Sequence, residues 1–274
     1  RGHLTDAGRL EGELGCFRVY NKELTHGEVL QNYNETKSRF QNTKMAFARP
    51  DDLVLYFDAD SGSSANDYSS GTWYDLSAGT SNNGTRDSAS FIARNPNNMK
   101  GMHYDFDGGD DEFVVSDHSD LDLTTQMTQE LWLQADSFSH GGGGNFPTVI
   151  AKNQQNYRIY FSTSGVATAR NNVDGSTHDL SASTGLSTGI WYHLVVTKST
   201  TGFAIYIDGE LNNSDSQTGA ITANNDALVL GNWDEGGARA WDGKIAMVRI
   251  YNVALSADEV MQNYNHSKHK FLKA

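Results

Sequence analysis

Residues 191–211 read WYHLVVTKSTTGFAIYIDGEL, and this stretch decides the fold class. The runs WYHLVVTK (191–198) and FAIYI (203–207) are short, aromatic and β-branched, the composition that fits a pleated, half-buried surface. The second run stops at Asp208-Gly209, a pair that tolerates the positive φ angles of a tight two-residue hairpin turn. The spacing therefore predicts two strands at 191–198 and 203–207, with a hairpin turn at 208–209.

The same signature recurs on both sides. Residues 53–57 (LVLYF) form a short buried-strand run, and 102–106 and 113–115 flank a Gly-Gly-Asp-Asp turn. Residues 127–135 alternate, and 148–151, 157–161, 166–169, 227–230 and 243–251 add further strand-length runs bounded by turn residues. With 27 glycines against three prolines, turn formers are plentiful. A strand-dominated, two-sheet antiparallel sandwich is expected, closed by one C-terminal helix.

Charge and composition narrow the function. Net charge is −13, from 34 acidic against 21 basic residues. Phosphate binding needs clustered Lys and Arg, and outside the tail at 266–273 there is none, so nucleic acid is not an expected partner. No apolar run approaches the length of a bilayer span, so membrane insertion is not expected. The single cysteine, Cys16, excludes an intrachain disulfide and a cysteine-based zinc site.

An internal repeat organises the chain. Residues 12–40 (GELGCFRVYNKELTHGEVLQNYNETKSRF) align without gaps on residues 243–271 (GKIAMVRIYNVALSADEVMQNYNHSKHKF), and 13 of 29 positions are identical at an offset of 231. Each copy reads as a strand followed by a helix. Thr25 with Glu28, and Ser256 with Glu259, have capping-box spacing. Val29, Leu30 and Tyr33, like Val260, Met261 and Tyr264, give the helix one apolar face. The end of a domain thus occurs twice and its body once. Residues 1–45 are expected to be the closing strand, Glu13 to Tyr20, and helix of a preceding truncated repeat. Residues 46–274 are expected to be one complete unit of a tandem array. An orphan strand of this kind exposes apolar residues and unpaired backbone, so it should dock on another domain or subunit.

The blocks TWYDLSAGTSNNGT (72–85), YDFDGGDDEFV (104–114), GIWYHLVVT (189–197), IYIDGEL (205–211) and GKIAMVRIYNVALSADEV (243–260), taken in this order, resemble the laminin-G-like, concanavalin-A-like lectin/glucanase jelly-roll modules. The ending LSADEVMQNYNHSKHKF looks like modules of marine bacteriophage structural proteins and bacterial surface proteins. The resemblance implies a jelly roll that binds glycans or proteins, often with Ca²⁺ at a sandwich edge. Some related folds are glycoside hydrolases.

Glycoside hydrolysis needs two carboxylates about 5–10 Å apart. Glu130 and Asp136 share a strand face but lie six residues apart, roughly 20 Å along an extended strand, so an enzyme is not expected. Asp107, Asp110 and Asp111 in the Gly-Gly turn are candidate Ca²⁺ ligands, with a solvated, self-capping turn as the alternative. Residues 117–122 gather ligand-type side chains on a loop, and His193 lies mid-strand; neither is given a metal role. Trp73, Trp132 and Trp191 are read as structural. Trp233 and Trp241 bracket a polar, glycine-rich loop. There Asn232, Trp233, Asp234, Glu235, Arg239 and Trp241 offer ring faces and polar groups to a sugar, the alternative being that one or both rings pack on the sandwich edge.

The resulting expectation is a non-enzymatic adhesion module that binds a glycan or cell-surface ligand, on a virion or at the cell surface. Neighbouring subunits of a virion or filament are its other expected partners. A purely structural spacer or decoration module is the alternative.

Overall fold

The computed structural model describes residues 18–25, 28, 29, 32, 47–61, 63–64, 71–79, 81–87, 93–94, 102–139, 146–153, 156–233 and 239–272. The chain divides into two compact units, Arg1–Ala46 and Phe47–Ala274. In chain order the strands of the second unit are β1 (Leu53–Asp58), β2 (Thr72–Trp73), β3 (Gly84–Arg86), β4 (Ala93–Arg94), β5 (Tyr104–Asp107), β6 (Phe113–Val115), β7 (Met127–Ser137) and β8 (Thr148–Lys152). There follow β9 (Tyr157–Phe161), β10 (Ala167–Val173), β11 (Ser176–Ser181), β12 (Trp191–Lys198), β13 (Phe203–Ile207), β14 (Glu210–Asp215), β15 (Leu228–Leu230), β16 (Asp242–Tyr251) and helix α1 (Ala257–Ser267).

Two antiparallel sheets face each other. The first runs β14-β13-β12-β7-β16-β5-β4, with β1 also on β16; the second runs β11-β10-β9-β8-β15-β6-β3-β2. Alternation fills the space between them. Leu131 and Leu133 of β7, Leu194 and Val196 of β12, Ile159 and Phe161 of β9 and Leu228 and Leu230 of β15 belong to one buried cluster, as does Trp73, which stacks on Phe57 at 4.9 Å. The 208–209 turn forms as expected, with φ of 52° at Asp208 and 86° at Gly209.

The first sheet is covered on its outer face as well. Helix α1 opens with the full capping box, Ser256 N donating to Glu259 Oε2 at 2.8 Å and Glu259 N to Ser256 Oγ at 3.4 Å. It buries Val260, Asn263 and Ser267, a spacing that puts all three on one face. The Trp132 ring stacks on Phe271 at 4.4 Å, and its indole N–H donates to Ser267 Oγ at 2.7 Å. Strand β7 is therefore buried on both sides, although its sequence alternates as a one-sided strand would. Gly243 makes the close crossing of β16 on β7 possible: at φ +150°, a Cβ there would lie 2.2 Å from the Gln134 carbonyl oxygen.

Strands β11 (STHDLS) and β14 (ELNNSD) escape the apolar pattern. Both are sheet edges, where polar residues discourage pairing with another chain. Among the described residues no helix is long and apolar enough to cross a membrane.

In the first unit, Thr25 and Glu28 form the same box, with Thr25 N donating to Glu28 Oε2 at 2.9 Å and Glu28 N to Thr25 Oγ1 at 3.3 Å. Arg18 donates to Asn32 Oδ1 at 2.9 Å. Residues 18–20 are not in a strand, and 13–17, the rest of the expected strand, lie outside the described residues.

Candidate functional site

The loop after β15 is tied at its base. Gly231, at φ 85°, donates to the Val149 carbonyl and accepts from Trp241 N at 2.7 Å, and Thr148 N donates to the Arg239 carbonyl at 2.9 Å. This geometry separates the two tryptophans that the sequence placed together. Trp241 has no exposed surface; its ring packs 5.1 Å from Phe161 and 6.2 Å from Phe138. Its backbone leads straight into β16, so its side chain goes into the sandwich core and is not a stacking surface for a sugar. Asn232 is buried too, its Oδ1 accepting from Trp233 N at 2.8 Å. Trp233 is half-buried, with the Arg239 guanidinium 3.8 Å and the Arg158 guanidinium 4.3 Å from its ring centre. Asp234 and Glu235 lie outside the described residues.

Trp233 heads a ladder across the outer face of the second sheet. Register places Ala151, Arg158, Arg170 and Asp179 side by side on β8 to β11. Arg158 lies 4.5 Å and Arg170 5.4 Å from the Tyr160 ring centre. Arg170 grips Asp179 with two bonds of 2.6 Å, the paired geometry that suits guanidinium to carboxylate. Arg158 is only 4% exposed, and its Nε has no hydrogen-bond partner among the described residues. Burial, with Arg170 and Arg239 adding repulsion, lowers its pKa to about 10.

The same face continues into a cleft that sequence reasoning missed. It has a volume of about 180 Å³ and is lined by Asn153, Asn156, Asn172, Thr222, Asn224 and Asp226, with Ala223. Alternation puts Asn156 two positions from Arg158, and Asn172 two from Arg170, on the ladder's side of the sheet. Asn172 N donates to the Asn156 carbonyl at 2.8 Å, and Thr222 Oγ1 to Asn172 Oδ1 at 3.0 Å. Asn153 Nδ2 donates to Asp226 Oδ2 at 2.6 Å. The buried Lys152 ammonium fixes the far wall, donating to the carbonyls of Asn224 and Asp226 at 3.0 Å and to Asp117 Oδ1 at 2.6 Å. Asn156 is 3% exposed, and neither atom of its side-chain amide finds a partner among the described residues. A buried donor or acceptor left without a partner costs about 1–3 kcal/mol each. The one local signal was the run Arg170-Asn171-Asn172, two adjacent amides in a strand, where Asn is disfavoured.

The acidic candidates serve the fold. Asp107 Oδ1 accepts from Gly109 N at 2.8 Å and Asp111 Oδ2 from Asp107 N at 3.0 Å. Asp107 and Asp111 thus cap backbone N–H groups of their own turn. No group of three or more His, Cys, Asp or Glu able to hold a metal occurs among the described residues. In the 117–122 loop, Asp117 and Asp122 pair with Lys152, at 2.6 and 3.2 Å. Glu130 is fully buried beneath α1, where His193 Nε2 lies 3.0 Å from it, and Asp136 pairs with Lys244 at 2.5 Å. Among the described residues that line the cleft, Asp226 is the one carboxylate.

The comparisons with known proteins agree on architecture. The family model described as the concanavalin A-like lectin/glucanases superfamily, of laminin-G type, matches residues 107–261. No curated protein matches the chain. Among solved structures, the binding domain of paraclostridial mosquitocidal protein 1 is 17% identical with a TM-score of 0.61, covering 79% of this chain and 52% of that one. Domain 4 of AbnA, an extracellular arabinanase from Geobacillus stearothermophilus in complex with arabinotriose, is 20% identical with a TM-score of 0.58, covering 78% and 98%. The botulinum neurotoxin serotype D ligand-binding domain in complex with N-acetylneuraminic acid is 18% identical with a TM-score of 0.60, covering 81% and 52%. The chain thus spans about half of the toxin domains but nearly all of the arabinanase domain.

Proposed function

This chain belongs to the concanavalin A-like lectin/glucanases superfamily, and we propose that it is a non-catalytic glycan-binding module whose site is the outer face of β8, β9 and β10. One observation carries the reading: the buried, unpartnered Asn156 amide lining a polar cleft. A sugar hydroxyl is at once donor and acceptor, so it can satisfy both atoms of that amide. Asn153, Asn172, Thr222 and Asp226 surround it with further polar groups. At the other end of the face, Trp233 with Arg239, and with Asp234 and Glu235 next in sequence, offers a second contact for a longer chain. The match to nearly the full length of an arabinotriose-bound domain supports a ligand of this class. The committed ion pairs of Glu130 and Asp136 support a binding role over hydrolysis.

Two finer parts belong to this proposal. The module works at a surface, of a virion or of a cell, and the 231-residue repeat makes it one unit of an array that multiplies weak sugar contacts into avidity. Cation dependence, the role proposed for Asp107, Asp110 and Asp111, is read by EDTA in the same experiment. That experiment is a glycan array of the full chain, with Asn156→Ala and Trp233→Ala in parallel. The proposal expects selective binding that Asn156→Ala weakens about tenfold or more, the range for an uncompensated buried polar group. Binding to no glycan, or binding indifferent to both substitutions, would count against it and favour the spacer reading.

A further inference from the structure

The two copies of the strand–helix repeat are in opposite situations. In the sandwich, Ile250, Tyr251 and Val260 are wholly buried. Their counterparts at the 231-residue offset, Val19, Tyr20 and Val29, are 80%, 42% and 52% exposed. A buried glutamate organises the sandwich copy. Glu130 accepts from Arg249 Nη1 at 3.1 Å, from the Tyr251 hydroxyl at 3.1 Å and from Asn263 Nδ2 at 2.7 Å. The first copy keeps these three donors unchanged as Arg18, Tyr20 and Asn32, and there Arg18 reaches Asn32 directly. It keeps Gly12 where Gly243 permits the close crossing on β7. It also keeps the formed helix cap, Thr25 with Glu28. Retention of the apolar face alone would suit any partner. Retention of all three donors to one carboxylate specifies what the partner must hold.

We infer that residues 12–40 are a docking element whose partner is a second sandwich of the same kind as Phe47–Ala274. That sandwich has the place of β16 and α1 open and a carboxylate where this chain has Glu130. Arg18, Tyr20 and Asn32 close around that carboxylate as Arg249, Tyr251 and Asn263 do here. Val19 and Val29 become buried in the act.

The test uses the compact unit Phe47–Ala274, which holds the core and the sheet pairing of the described residues. A protease site replaces residues 234–238, and cleavage there leaves β16 and α1 held without a covalent link. The nicked unit is unfolded in urea and refolded, under reducing conditions, with a labelled peptide of residues 12–40 in excess. Retention is read by gel filtration against a labelled 243–271 peptide and a scrambled 12–40 peptide. The inference expects the 12–40 peptide to be retained and the scrambled one lost. Arg18→Ala in the peptide, which strands the buried carboxylate, should weaken retention by at least about a hundredfold. Loss of the 12–40 peptide overturns it, as does retention equal to that of the scrambled or Arg18→Ala peptide. None of these outcomes bears on glycan binding.

Discussion

The Glu130 carboxylate lies 3.1 Å from the Arg249 guanidinium, on adjacent strands β7 and β16, with 0% and 1% of the two side chains exposed. The pair sits beneath α1, and its other bonds go from Glu130 to His193, Tyr251 and Asn263 and from Arg249 to the Tyr56 hydroxyl. It therefore joins the helix to the sheet. Removing one partner strands a buried charge, which costs about 3–5 kcal/mol. Arg249→Ala should lower unfolding free energy by that amount in urea melts. A loss below about 1 kcal/mol would mean that helix and sheet are held by the apolar contacts alone.

The same network sets an acid limit. Burial pushes the Glu130 carboxyl upward, but Arg249, His193 and Asn263 outweigh it and hold the pKa at about 2, against 4.5 for the unperturbed group. A depressed carboxylate contributes stability that is fully present above its unfolded value and is lost as pH falls through its folded value. Stability should thus decline between these two pKa values. Glu130→Gln should flatten that part of the urea-midpoint profile, and an unchanged slope would place the acid sensitivity elsewhere, for instance at Asp179, whose pKa is also lowered.

The two loop tryptophans should behave oppositely. Trp241→Ala empties a core position and should cost about 3–5 kcal/mol. Trp233→Ala loses two cation–π contacts at a half-exposed ring, worth about 1 kcal/mol, while weakening glycan binding. Paired thermal melts and binding titrations check this, and equal destabilisation by both would refute the distinction.

Gly243→Ala drives a methyl group against the Gln134 carbonyl where β16 crosses β7. Strain of this kind, in the backbone of two central strands, should cost several kcal/mol. A variant as stable as the parent would show that β16 can shift without loss.

Much of this architecture was legible because its causes are local. The aromatic and β-branched runs, the Asp208-Gly209 pair and the Ser256–Glu259 spacing each carry their own signal. Trp132 was rightly read as structural, although its role beneath α1 depends on Ser267 and Phe271, over 130 residues away. The edge strands β11 and β14 were missed because an edge favours polar residues, which erase the strand pattern. Trp233 and Trp241 could not be told apart by type, since what divides them is the path of the chain into β16. The cleft had almost no sequence signature. Asn153, Asn172 and Thr222 come from separate segments, gathered by the pairing of β8, β9 and β10 and by the Lys152 ammonium that pins residues 224–226.

The most direct test of the central claim is amide hydrogen exchange on the unit Phe47–Ala274, with and without the glycan that the array selects. Binding to the outer face of the second sheet should slow exchange at residues 156–160, 168–172 and 222–226, and Asn156→Ala should reduce that protection at equal glycan concentration. Protection confined to α1 and the first sheet, or to the 107–111 turn, would contradict the account, as would an array that selects no glycan at all.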